Sequence, residues 1–145
     1  MNREILFKAK CFGNWRYGSY VHFDKKPTNS RCNINYKDFI ITNEDDGEHY
    51  YPITDLSSIG QYTGLKDKNG KEIYEGDIVK GVSHKSDSCI SELIPFDVIG
   101  VVGYHKEYQT LEVRTRQASL HIEVAIKGEV IGNIHDNPEL LKGGK

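Results

Sequence analysis

"YTGLKDKNGKEIYEGDIV" (residues 62–79) packs glycines at 64, 70 and 76, four acidic residues and three lysines into one short stretch. Asn69-Gly70 readily takes the two left-handed positions of a type I′ turn between short β-compatible runs. "EIYEGDIV" then supplies Ile73, Ile78 and Val79 as apolar contacts, with Gly76 marking a bulge or tight bend before Asp77. Turn, short strand, glycine kink and strand together specify a β register.

The same grammar extends on both sides. Upstream, "EILFKAKCF", a turn at "GNW" and the alternating "WRYGSYVHF" form a hairpin, with Trp15, Tyr17, Ser19, Val21 and Phe23 on one side. "INYKDFIIT" and "HYYPIT" form a second hairpin around Asp46-Gly47, and Pro52 marks an edge or a strand end. "DLSSIG" fits one short helical turn. Downstream, residues 81–96 read as a long polar loop. "FDVIGVVGYHKEY" and "LEVRTR" then form a hairpin through "KEYQT", in which Gly100 and Gly103 permit sharp coiling. "HIEVAIKGEVIGNI" is strand-like, with a short helix before Lys127 as an alternative. Asn137-Pro138-Glu139 starts a C-terminal helix. The expected fold is mainly β, a β-rich α+β chain. An N-terminal β-hairpin region (residues 1–55) precedes a small SH3-like or Greek-key barrel with a short C-terminal helix (residues 56–145).

The length suits one domain, or one domain with a substantial appendage. The 145 residues are 37% hydrophobic and 28% charged, and nine tyrosines beside one methionine favour strands. No apolar run approaches the ~20 residues that span a bilayer. The opening MNREILFKAK lacks a secretory pattern, so a cytoplasmic location is expected. Cys11, Cys32 and Cys89 form no CxxC pair and read as packed, reduced thiols.

No cofactor, metal or small-molecule substrate is indicated. The histidines at 22, 49, 84, 105, 121 and 135 form no HExxH pattern. Asp67, Glu72, Glu75 and Asp77 lack calcium-loop spacing and alternate with Lys66, Lys68 and Lys71, which reads as a solvated, salt-bridged turn. A nucleophile at Cys89 would need His84 or His105 brought beside it. Phosphate-cradling loops and GxSxG elbows are missing, and the chain reads as non-enzymatic.

Charge is blocked along the chain. Residues 1–37 hold eight basic and two acidic side chains, whereas residues 38–60 hold six acidic and none basic. Two interaction readings follow. In the first, the basic segment docks on the acidic segment of another copy, with Asp45, Asp46 and Glu48 at the contact. In the second, Lys8, Lys10, Arg16, Tyr20, Lys25, Lys26 and Arg31 hold nucleic acid, with stacking on neighbouring aromatics. Against the second, alternation is expected to turn Trp15, Tyr17 and Phe23 toward the core and the basic residues toward water.

The residues "REILFKAK", "NWRYGS", "IGQYTGLKDKNGKEIYEGDIV" and "GEVIGNIHDNPELL" resemble the YopX family of phage and prophage proteins. The likeness covers nearly the whole chain and is strongest around Gly64, Asn69, Gly70, Gly76 and Asp77. It implies a largely β protein that self-associates in the cytoplasm of a bacterial host, and it brings no catalytic residues.

Overall fold

A computed structural model describes residues 6–24, 36–86 and 92–142. The chain divides into two compact units, residues 1–62 and 63–145. That boundary lies inside a strand, seven residues beyond the one read from the sequence.

The first unit contains β1 (Phe7–Cys11), β2 (Asn14–His22), β3 (Asp38–Glu44), β4 (Gly47–Pro52) and the first part of β5 (Asp55–Lys66). These strands lie antiparallel in the order β4-β3-β2-β1-β5. Two-residue turns make both hairpins. Phe12 and Gly13 take left-handed φ values of 53° and 81°, one residue ahead of the expected turn, and pair Cys11 with Asn14. Asp45 and Asp46 join Glu44 to its partner Gly47. The segment "DLSSIG", expected to be helical, is extended because β5 pairs with β1 along it.

Residues opposite each other in an antiparallel pair share a face. Ala9 lies opposite Arg16, and Tyr20 opposite Ile40, which in turn faces Tyr51. This face holds the core cluster of Ala9, Cys11, Ile40 and Ile53, flanked by Phe7, Tyr20, Tyr51 and Ile59. Lys8 opposes Tyr17 and Lys10 opposes Trp15, so all four occupy the other face. The period of two in β2 is as expected, but its phase is reversed: Trp15 and Tyr17 point away from the cluster. The small side chains of Ala9 and Cys11 set that phase by leaving room for Ile40 and Ile53.

The second unit contains the end of β5, then β6 (Glu72–Tyr74), β7 (Asp77–Ser86), β8 (Leu93–His105), β9 (Thr110–Arg114), β10 (Ser119–His121), α1 (Glu123–Ile126), β11 (Glu129–Asn133) and α2 (Glu139–Lys142). Five strands form an antiparallel sheet ordered β10-β9-β8-β7-β11. β11 returns past three strands to lie beside β7, the return connection of a Greek key. The sheet does not close into the expected barrel; β10 and β11 are its two edges. Ile73, Val79, Val102, Val113, Ile122 and Ala125 form the core. Full burial of each larger aliphatic side chain among them contributes about 1.5–3 kcal/mol.

The segment read as a long loop is mostly strand. β7 runs to Ser86 and β8 starts at Leu93, in unbroken register from Ile78↔Val101 to Ser86↔Leu93. Its polar composition misled because β11 pairs with β7 only through Lys80, and β9 with β8 only from Val101. The outer part is therefore a two-stranded ribbon that covers little core and needs no apolar alternation.

Candidate functional site

The stretch 62–79 organises the second unit through its backbone. Gly70 takes a left-handed φ of 81° while Asn69 does not, so the reversal is not the type I′ turn expected. Instead Gly70 N donates to Asp67 O, and Asp67 N donates to Lys71 O. This is a three-residue turn whose left-handed glycine rejoins the ladder. Asp67 Oδ1 accepts from Asn69 N at 2.8 Å and Lys71 N at 2.9 Å, and Oδ2 accepts from Val130 N of β11 at 2.9 Å. Burial pushes this carboxyl's pKa up, but the three backbone donors and Lys71 outweigh it and hold it below the usual range.

Asp77 behaves similarly. It is buried, and its Oδ2 accepts from Tyr74 N at 2.9 Å. At the neighbouring bend, Gly76 N donates to Val102 O and Ile134 N donates to Gly76 O. Thr63 donates its hydroxyl to Ile73 O at 2.7 Å and accepts from Leu65 N, beside the left-handed Gly64. The solvated turn expected from the interleaved lysines is corrected here: Asp67 and Asp77 are buried, with backbone N–H groups as their partners. The motif holds strands in place, and its two buried carboxylates are spent on that.

The terminal segment has the same character. Asn133 Oδ1 accepts from His135 N and Asp136 N, and Asn137 Oδ1 accepts from Asn133 N. A β-carbon on Gly132 would lie 2.5 Å from Asn137 Oδ1, which accounts for the glycine there.

Residues 10–142 match the family described as YopX protein. The chain belongs to the YopX family. No curated protein matches it. The family stretch is thus a set of backbone anchors, and interaction chemistry has to be sought elsewhere on this YopX chain.

Among the described residues, the candidates Lys8, Lys10, Arg16 and Tyr20 do not converge. Lys8 and Lys10 lie on the face of the first sheet away from the core cluster, with their ammonium groups 4.7 and 5.6 Å from the Trp15 ring centroid. Arg16 and Tyr20 lie on the opposite face. The Arg16 guanidinium stacks 4.2 Å over Tyr51, and Tyr20 donates to Asp38 Oδ1 at 2.5 Å. The Asp38 bond raises Tyr20's pKa to about 12. Lys25, Lys26 and Arg31 lie outside the described residues, as do Cys32 and Cys89. What sequence reasoning missed is that Trp15 and Tyr17 accompany the lysines; the phase of the strand decides this, and alternation alone does not give phase.

The acidic candidates are gathered. Asp45 and Asp46 form the turn after β3, and Glu48 lies on β4, the outer strand of its sheet. His49 Nε2 lies 2.7 Å from Asp46 Oδ1 and 3.5 Å from Glu44 Oε2. Their donor atoms fall within 4.8 Å of one another, a set of two carboxylates and an imidazole that could hold a divalent ion. Tyr51 donates to Glu44 Oε1 at 2.9 Å, and its ring stacks with His49. The Asp46 hydrogen bond raises the His49 pKa and lowers that of Asp46.

In the second unit Tyr104, His105, Lys106, Glu107 and Arg114 line an open pocket of about 310 Å³. Arg114 donates to Glu112 Oε1 and Tyr104 O, so its guanidinium is largely occupied by the protein itself. Cys11 is buried, and burial pushes its thiol pKa up, which suits packing and not nucleophilic attack.

Proposed function

We propose that this YopX-family chain is a phage- or prophage-encoded accessory protein that works by self-association in the host cytoplasm and has no catalytic centre. The observation that carries the reading is the exposed outer strand β4, which bears Glu48 and Tyr50 and follows the acidic Asp45-Asp46 turn. An outer strand offers a row of backbone donors and acceptors that pairing with another chain satisfies. The family stretch supports the same reading, because its buried polar groups serve the backbone. Light scattering on an Asp45→Lys, Asp46→Lys double variant tests it. The associated fraction falls if these acids lie at a subunit contact, and an unchanged fraction counts against the reading.

Nucleic-acid binding is a second reading, and one arrangement favours it: Lys10, Trp15 and Tyr17 share a face, a cation beside rings, with Lys8 buried against the same Trp15 ring. Single-stranded nucleic acid is held by this combination of charge and stacking. Trp15 is the chain's one tryptophan, so its fluorescence reports directly on this face. Quenching by a single-stranded oligonucleotide that weakens as salt rises supports this reading; an unchanged spectrum at low salt ends it.

A further inference from the structure

We propose that β4 of one copy pairs edge to edge with the outer segment of β7 of a second copy, giving a head-to-tail contact of opposite charge. This rests on the self-association reading and assigns it a surface.

The basic N-terminal strands cannot add a neighbour at their edges, because β1 and β2 are both interior strands. The acidic edge of β4 therefore needs another strand edge as its counterpart. Among the described residues, β10 and β6 are three-residue strands, and β11 carries Glu129 and no basic residue. The outer part of β7 differs. Beyond Lys80 it has left β11 behind and keeps only β8 as a strand neighbour, and it carries the exposed His84 and Lys85. A two-stranded ribbon is marginal in water and gains from a third strand. β8 is the poorer edge for this, since Pro95 has no N–H to offer.

Side chains fit one register. Placing Glu48 opposite Lys85 in an antiparallel pair puts Tyr50 opposite Ser83, and Tyr51 opposite Val82. Glu48 then meets a lysine. Tyr50 is 51% exposed and lies over a serine whose own partner across the ribbon is Phe96, 39% exposed. Strands are about 4.8 Å apart, so a tyrosine ring reaches over the small Ser83 toward Phe96. On the other face, Val82 is 48% exposed and gains Tyr51 as a neighbour. The contact leaves β7 of the first copy and β4 of the second unused, so it repeats and either closes a ring or extends.

Charge exchange in the full-length chain tests this. Glu48→Lys and Lys85→Glu are each expected to weaken association about tenfold in sedimentation equilibrium at low salt, with circular dichroism unchanged. Combining both is expected to bring association back to within about threefold of the original, because the pair then attracts with its signs swapped. Amide exchange provides a second readout: residues 47–51 and 82–85 become protected as protein concentration rises. Association that ignores Lys85→Glu, fails to recover in the double variant, or proceeds without protection of residues 82–85 overturns the surface and leaves self-association standing. A chain that is monomeric before any substitution overturns the self-association reading as well.

Discussion

Val130 N donates a 2.9 Å hydrogen bond to Asp67 Oδ2 across 63 residues of sequence. Through it a turn and a distant edge strand are tied to one buried carboxylate. Asp67→Ala strips the partner from three backbone N–H groups at once and is expected to lower stability by about 3 kcal/mol in urea unfolding. A loss below about 1 kcal/mol would mean that the carboxylate does not anchor β11.

Asp67 also makes stability depend on acid. Its folded pKa is lowered below the unfolded value of about 3.9. Its contribution is therefore complete above that pH and disappears as pH falls through the folded value. The stability of Asp67→Asn is expected to lack this component, so its pH profile between about 4 and 2 flattens relative to the parent. Parallel profiles would contradict this.

Glycine positions separate close approach from open space. A β-carbon on Gly18 would overlap the Ile41 carbonyl oxygen, whereas one on Gly103 would meet only the end of the Arg114 side chain at 3.4 Å. Gly18→Ala is expected to cost about 2 kcal/mol by forcing β2 from β3, and Gly103→Ala less than about 0.5 kcal/mol. Thermal melts of the two variants check the contrast.

Much of the β architecture could be read in the chain, and its failures have physical causes. Alternation in β2 and Asp46-Gly47 located both N-terminal hairpins, because local turns and period are local signals. Which face of β2 meets the core was not legible, since that depends on Ala9 and Cys11 in a neighbouring strand. The β7–β8 ribbon looked like a loop because its side chains face solvent. Asp67 looked like a solvated charge because its decisive partner, Val130, lies far along the sequence. Among site residues, the acids at 45, 46 and 48 are together because one hairpin carries them. The basic and aromatic set was divided by strand alternation, with Arg16 and Tyr20 on the opposite face from Lys8 and Lys10.

Tyr20 offers a spectroscopic check on the N-terminal sheet. Its hydroxyl pKa is raised to about 12, first by the hydrogen bond to Asp38. That bond's contribution is complete below the unfolded tyrosine value of about 10 and is lost as pH rises through the folded one. In an ultraviolet titration Asp38→Asn is expected to shrink the late-ionising tyrosine amplitude, leaving the share of Tyr50 and Tyr51, whose hydroxyl pKa values are raised by Glu48 and Glu44. An undiminished late amplitude would show that Asp38 is not the cause.

His49 titrates at the acidic turn. The hydrogen bond to Asp46 raises its pKa, so the pair contributes below the unfolded imidazole value and is lost as pH rises through the folded one. Asp46→Asn is expected to move the His49 ring resonances to a lower midpoint in an NMR titration. An unmoved midpoint would place the two side chains apart in solution.

The central claim, that the chain acts by associating with copies of itself, is tested most directly by molar mass from light scattering at micromolar concentration. The account predicts a mass well above the 16.5 kDa of one chain at low salt, falling as added salt screens the acidic edge. A steady 16.5 kDa at every concentration and salt level would contradict it.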